Sequence, residues 1–393
     1  MHLRITPSTI TGKHSRHKFC DPLSLCLLLS TLGLFHSVAN AQVSDAAKSF
    51  CQTINGIGNE AAGFPAAIAA LPALERMSAS DGMNVLRGMD DQNPLAANWL
   101  RLSAANIFDR SPALSSDLRQ LATDQSASKL SREAAFSLLQ ESAAQEAKSI
   151  TPSFIRDPCL ALRRFAVAEQ IELANQQIEQ GKQKPAQQLL TSTLETTRDI
   201  DQISAIIKTL NSLGQEVDQR QWLGLIMDWQ IAGPFDNSGG IGFAKAYEPE
   251  NQLAAPDFSA SYPGKDGQVD WKTIKSDDRD GFVDINKLLA KSNGSCVYLA
   301  APFNVEDPQQ VEIRAGTYNA IKVWVNGQPI YDYEVYHTNE VIDQYSGKAT
   351  LVAGTNWIVI KLCQNEQQES WAQNWRFLAR VTDETGKRIN VTK

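Results

Sequence analysis

The chain has 393 residues, with 37 Lys and Arg against 44 Asp and Glu, for a net charge of −7. An acidic chain with no basic stripe argues against nucleic acid or anionic lipid as a partner. Four of the five histidines (His2, His14, His17, His36) precede residue 42, which leaves His337 alone to carry any imidazole chemistry and excludes a multi-histidine zinc site in the remainder.

The first element is a leader. Arg4, Lys13, Arg16 and Lys18 precede an apolar run from Leu23 to Phe35, which closes on Val38-Ala39-Asn40-Ala41. A basic start, a short apolar run and a small-x-small end predict a signal peptide over 1–41 and export to the periplasm or the extracellular space. The run is shorter than the roughly 20 residues a spanning helix needs, so no transmembrane helix is expected after cleavage. What remains carries 33 basic and 43 acidic residues, a net charge of −10, and a length that suits two domains. Cys51, Cys159, Cys296 and Cys363 remain with it. Export permits disulfides without requiring them; Cys296 and Cys363 lie in strand-like runs and read either as a pair or as buried thiols.

Residues 42–221 are rich in Ala, Leu and Gln and are punctuated by Pro65, Pro72, Asn93-Pro94, Ser111-Pro112, Thr151-Pro152, Asp157-Pro158, Lys184-Pro185 and Gly214. This predicts a helical domain. Arg101, Arg132 and Arg163 recur every 31 residues. Each is followed at +3 by Ala104, Ala135 or Ala166, and at +4 by Ala105, Phe136 or Val167. Such a period puts one helical face against its neighbours, as a solenoid requires. On these residues the stretch from about 80 to 180 resembles HEAT-type repeats. Helices near 158–180, 184–197 and 199–213 are more similar to a TPR-type array. Either resemblance implies a protein-binding scaffold.

Composition changes near residue 222. Fifteen of the sixteen Trp and Tyr residues lie at or after Trp222, and glycine rises from 7 in 42–221 to 14 in 222–393. Strands are expected at 228–232, 269–274, 295–303, 311–315, 321–325, 329–333, 349–352, 357–362, 375–382 and 387–391, with a short helix near 284–291. Asn326-Gly327 between two of them marks a type I′ hairpin. The pattern predicts an antiparallel β-sandwich over 222–393. Lys322-Val323-Trp324-Val325-Asn326-Gly327 and Gly354-Thr355-Asn356-Trp357-Ile358-Val359-Ile360-Lys361 resemble strands of galactose-binding-like jelly rolls. With Trp229-Gln230-Ile231-Ala232-Gly233-Pro234-Phe235 at the join, the whole chain is similar to exported bacterial proteins of unknown function that couple HEAT-like helices to such a sandwich. Carbohydrate binding does not follow from the fold.

Several clusters could carry chemistry. Asp277, Asp278 and Asp280 before Gly281 could hold a structural Ca²⁺, but an EF-hand frame puts Ser276 first and Lys287 twelfth, so they read as solvated turn acids. In Tyr331–His337, alternation places Tyr331, Tyr333 and Val335 on one face, and Asp332, Glu334 and Tyr336 on the other. Trp371, Trp375 and Arg376 could form an aromatic platform with a guanidinium, and Tyr262 and Trp271 a second. Gly239-Gly240-Ile241-Gly242 is not a phosphate loop, and no G-x-S-x-G elbow occurs. The expected function is a non-catalytic exported scaffold whose helices contact protein and whose sandwich binds glycan or protein, with no cofactor. A carboxylate-dependent glycoside hydrolase and an architectural envelope component without a discrete ligand are the alternatives.

Overall fold

The computed structural model describes residues 44–389. The expected leader lies outside the described residues, as does the end of the strand expected at 387–391. Eleven α-helices come first among the described residues: α1 (Asp45–Ile54), α2 (Phe64–Ala70), α3 (Ala79–Arg87), α4 (Pro94–Arg110), α5 (Ser115–Thr123), α6 (Lys129–Ser142), α7 (Ala144–Ile150), α8 (Leu160–Glu179), α9 (Gln183–Thr196), α10 (Ile200–Ser212) and α11 (Gln219–Leu223).

Local chemistry sets the helix starts. The Ser44 hydroxyl accepts from the Ala47 N–H to begin α1, and Ser78 and Asp81 form a capping box on α3. Asn93 caps α4 just ahead of Pro94, where a missing N–H costs nothing. Buried faces follow helical spacing: α1 buries Ala47, Phe50, Cys51 and Ile54. The 31-residue spacing lands on α4, α6 and α8, where Ala104, Ala135 and Ala166 are all fully buried. The arginines do not behave alike. Arg132 is 1 % exposed and grips Asp157 through both terminal nitrogens, while Arg163 donates to the Asp157 carbonyl and Arg101 reaches only Asn98 at the surface.

Helix gives way to strand at Gly224. Its φ of +72° closes α11, and the Leu225 N–H returns to the Arg220 carbonyl. Leu225 then bridges Arg380, which joins the last helix to the sheets. The strands and remaining helices are β1 (Asp228–Asp236), α12 (Ile241–Ala244), β2 (Ser261–Pro263), β3 (Gln268–Asp270), β4 (Lys272–Lys275), β5 (Val283–Asp284), α13 (Ile285–Leu288), β6 (Ser295–Val305), β7 (Gln309–Thr317), β8 (Ala320–Val325), β9 (Gln328–Tyr333), β10 (Tyr345–Leu351), β11 (Gly354–Gln364) and β12 (Arg376–Thr382). A six-stranded antiparallel sheet, β4-β1-β6-β11-β8-β9, faces a four-stranded one, β10-β7-β12-β5, with β2-β3 a separate hairpin. The run expected as one strand at 269–274 is broken at Trp271 into β3 and β4, and 387–389 contributes only the bridge Thr382–Arg388.

Trp229, Val297, Ile313, Ile360, Trp375 and Phe377 belong to the core between the sheets. The outer face of the large sheet is also buried: Tyr298, Cys296, Cys363 and Trp324 pack against Phe243, Tyr247 and Phe258 from the segment between β1 and β2. Among the described residues no helix is long and apolar enough to cross a membrane.

Candidate functional site

The ends of β1, β7, β9 and β11 and the start of β6 converge on one set of loops. Loops at the end of a rigid sandwich are where variable, exposed chemistry can be held in place. Here the β9–β10 connection brings His337 beside Trp371 from the β11–β12 connection, with ring centroids 5.0 Å apart in an edge-to-face arrangement. Tyr318, in the β7–β8 turn, also packs edge-to-face on the imidazole at 5.1 Å, and its hydroxyl donates to the Trp371 carbonyl at 2.7 Å. Trp371 is 55 % exposed, more than any other tryptophan of the described residues.

Buried amides position this group. Asn319 donates to the Gln364 side chain and to the Asn374 carbonyl, and Gln364 donates to the Ala372 carbonyl at 2.9 Å. Both amides are essentially unexposed, and they fix the turn that carries Trp371. The His337 N–H donates to the Tyr318 carbonyl at 2.8 Å. Gly316 lets the β9–β10 connection lie against β7, since a Cβ there would sit 1.9 Å from the Val341 carbonyl oxygen.

The hydrogen bonds define the imidazole's roles. Asn365 donates to the Gln367 side-chain oxygen at 2.9 Å, and its own oxygen accepts from the Gln367 N–H. The Asn365 amino group is therefore the atom 2.7 Å from His337 Nε2, so that nitrogen accepts and the proton of a neutral ring sits on Nδ1. Nδ1 is buried without a hydrogen-bond partner among the described residues, a cost of about 1–3 kcal/mol. His337 also has a φ of +61°, a strained backbone for a residue with a side chain. Two local penalties thus fall on one residue beside an exposed indole.

The expected site residues separate. Tyr336 and Trp371 stand in this neighbourhood: the half-buried Tyr336 hydroxyl accepts from Asn237, and burial pushes its phenol up to about 12. Trp375 is fully buried between the sheets, so the platform expected from Trp371 and Trp375 does not form. Strand alternation turns Trp375 inward while Trp371 sits in a 3₁₀ turn outside the sheet. Arg376 is ion-paired to Glu340 and stacked on Phe282 at 4.1 Å, which leaves its guanidinium occupied. Tyr262 and Trp271 meet under the outer-face cover, where the Trp271 N–H donates to the Tyr262 hydroxyl at 3.2 Å. Tyr262 is 4 % exposed in the wall of a cleft of about 600 Å³ and presents no ring face to solvent. β9 ends at Tyr333, which stacks on Tyr345 at 4.3 Å, so strand alternation does not extend to Glu334 and Tyr336.

Among the described residues no group of three or more His, Cys, Asp or Glu side chains is arranged to hold a metal. In the acidic turn, one Asp278 oxygen accepts from the Asp280 and Phe282 N–H groups, while Arg220 donates to the Asp277 and Asp278 carbonyls. His337, Asn365 and Tyr318 were not singled out together from sequence, and no local signal links positions so far apart.

No family model and no characterised protein matches the chain. Among solved structures, a β-glucosidase from Kluyveromyces marxianus shares 14 % identity at a TM-score of 0.26, over 46 % of this chain and 21 % of that one. A β-glucuronidase from an uncultured Clostridium sp. shares 12 % at 0.22, over 41 % and 29 %. An α-xylosidase from Xanthomonas citri shares 8 % at 0.19, over 40 % and 18 %. The chain spans less than a third of the length of each.

Proposed function

We propose that the protein is a non-catalytic glycan-binding protein, exported from the cytoplasm, whose sandwich is a jelly roll and whose helices form a HEAT- or TPR-type scaffold that contacts protein. The observation that carries this reading is the exposed Trp371 indole, edge-to-face with His337, whose imidazole meets the Asn365 amide, itself bonded to Gln367. Sugar rings offer apolar C–H faces that stack on an indole, and hydroxyls that pair with amides and imidazole. Catalysis finds less support. Glu340, which shares the β9–β10 connection with His337, is ion-paired to Arg376. The test is a glycan array probed with the full chain. Binding that disappears in Trp371→Ala supports the reading. Binding to no glycan, or equal binding by the variant, contradicts it and favours an architectural role.

A further inference from the structure

A second constellation lies where the end of α9 and the segment around α11 meet the last β-turn. There a pocket of about 240 Å³ is lined by Arg198, Lys387, Arg388, Trp222 and Glu195, among others. Three of these side chains are cations, and none forms an ion pair among the described residues. Arg198 is half-buried; it donates to the Thr385 hydroxyl at 3.3 Å and to the carbonyls of Glu195 and Thr197 at 3.0 and 2.7 Å. Arg388 donates to the Gln221 carbonyl and stands 5.8 Å over the Trp222 ring. Lys387 is exposed at the rim.

Nearby carboxylates form no ion pair with these cations, although the charges of Asp383 and Glu195 act on Arg198. Asp383 accepts from the Thr385 N–H and hydroxyl and from the Lys387 N–H. Asp343 is spanned by Arg380 and Arg314. Glu195 lines the pocket but forms no ion pair with its cations. Behind the pocket, Arg163 adds a further positive charge and is itself bonded only to the carbonyls of Asp157 and Thr196. Burial, and then the charge of Arg163, hold the Arg198 guanidinium below its usual pKa. In a chain of net charge −7, three cations that line one pocket and form no ion pair among the described residues leave room for an added anion. Guanidinium groups bind oxyanions in paired, charge-assisted hydrogen bonds.

We propose that this pocket binds a small oxyanion, a carboxylate or a phosphate-type group, held between Arg198, Arg388 and Lys387. Its volume suits one anionic group or one acidic monosaccharide. The grip comes from both halves of the fold, Arg198 following α9 and Lys387 and Arg388 following β12, so occupancy ties the helices to the sandwich. This inference is independent of the glycan reading at Trp371.

The test is thermal unfolding of the full chain at matched ionic strength, in chloride alone, with inorganic phosphate, or with galacturonate. At about 10 mM, an anion that binds with a Kd near 0.5 mM raises the midpoint by about 2–3 °C and saturates. A shift with phosphate alone assigns a phosphate-type ligand; with galacturonate alone, a carboxylate; with both, the shared chemistry. Arg198→Gln abolishes the shift and Lys387→Gln reduces it. Lys387 is exposed, so that second variant decides the matter if Arg198→Gln fails to fold. No shift from either anion, or the same shift in wild type and variants, as general salt exclusion gives, overturns the proposal.

Discussion

Lys361 and Glu250 form an ion pair at 2.9 Å whose ammonium is fully buried on the outer face of the six-stranded sheet. Lys361 sits on β11 directly opposite Tyr298 on β6, and the Tyr298 hydroxyl donates to the same Glu250 oxygen. The ammonium also donates to the carbonyls of Phe243 and Lys245, which end the short helix α12. One lysine thus pins the segment that covers the outer face. Lys361→Met removes the cation paired with Glu250, which keeps only the Tyr298 hydroxyl, and takes the donor from two carbonyls; it is expected to cost about 3–5 kcal/mol. Chemical denaturation reads the loss, and amide exchange at 243–250 should accelerate more than exchange in β6.

Arg132 contrasts with Arg101, 31 residues before it. It is bound bidentately by Asp157, with both side chains at most 2 % exposed. Arg132→Met strands a buried carboxylate and is expected to destabilise by about 3–5 kcal/mol. Arg101→Met, 31 residues earlier in the chain but exposed, should change stability by no more than about 0.5 kcal/mol. Equal losses in urea denaturation would refute the distinction.

Asp343 links stability to pH. Burial on its own would raise its carboxyl, but hydrogen bonds and charge from Arg380, and then from Arg314, hold it below the usual value. A carboxyl depressed in the folded state contributes stability above its unfolded pKa of about 3.9, and that contribution is lost as pH falls further, through the folded pKa. The wild type should therefore lose stability steeply below about pH 4, and Asp343→Asn should start less stable and show a shallower loss over that range. Parallel curves for the two proteins would contradict this assignment.

The four described cysteines are buried and free, and Cys363 lies directly opposite Cys296 across β11 and β6. Burial pushes the Cys51 thiol up to about 11 and raises Cys363 well above its ordinary value. Thiolate is the reactive form, so these residues should resist alkylation near pH 8 until the chain unfolds. Mass spectrometry after pulse labelling reads this; rapid native labelling of Cys363 would contradict the packing of the outer-face cover.

The sandwich was legible in the sequence where local chemistry acts alone. Asn326 and Gly327 take φ of +50° and +79°, as the hairpin they mark requires. The 31-residue spacing correctly picked out buried alanines, because helix packing depends on the same face recurring. It could not distinguish Arg132 from Arg101, since only Arg132 finds a carboxylate from a later loop. Pattern also failed to reveal the third layer. Phe243, Tyr247 and Phe258 follow no period, yet they bury the outer side of β6 and β11. β12 is buried on nearly all positions because helices and Asp343 cover its second face, a tertiary fact that alternation does not carry. Trp375, just ahead of β12, is core between the sheets with Phe377, Ala379 and Val381, and the site instead joins His337 to Trp371, which only loop geometry brings together.

Calorimetric titration of the full chain with its best array ligand, in wild type, Trp371→Ala and Asn365→Ala, tests the central claim most directly. Trp371 is largely exposed, so its variant should keep the wild-type melting profile. At least a tenfold loss of affinity is expected in Trp371→Ala, equivalent to about 1.4 kcal/mol, and a smaller loss in Asn365→Ala. Wild-type affinity in a folded Trp371→Ala chain would contradict it.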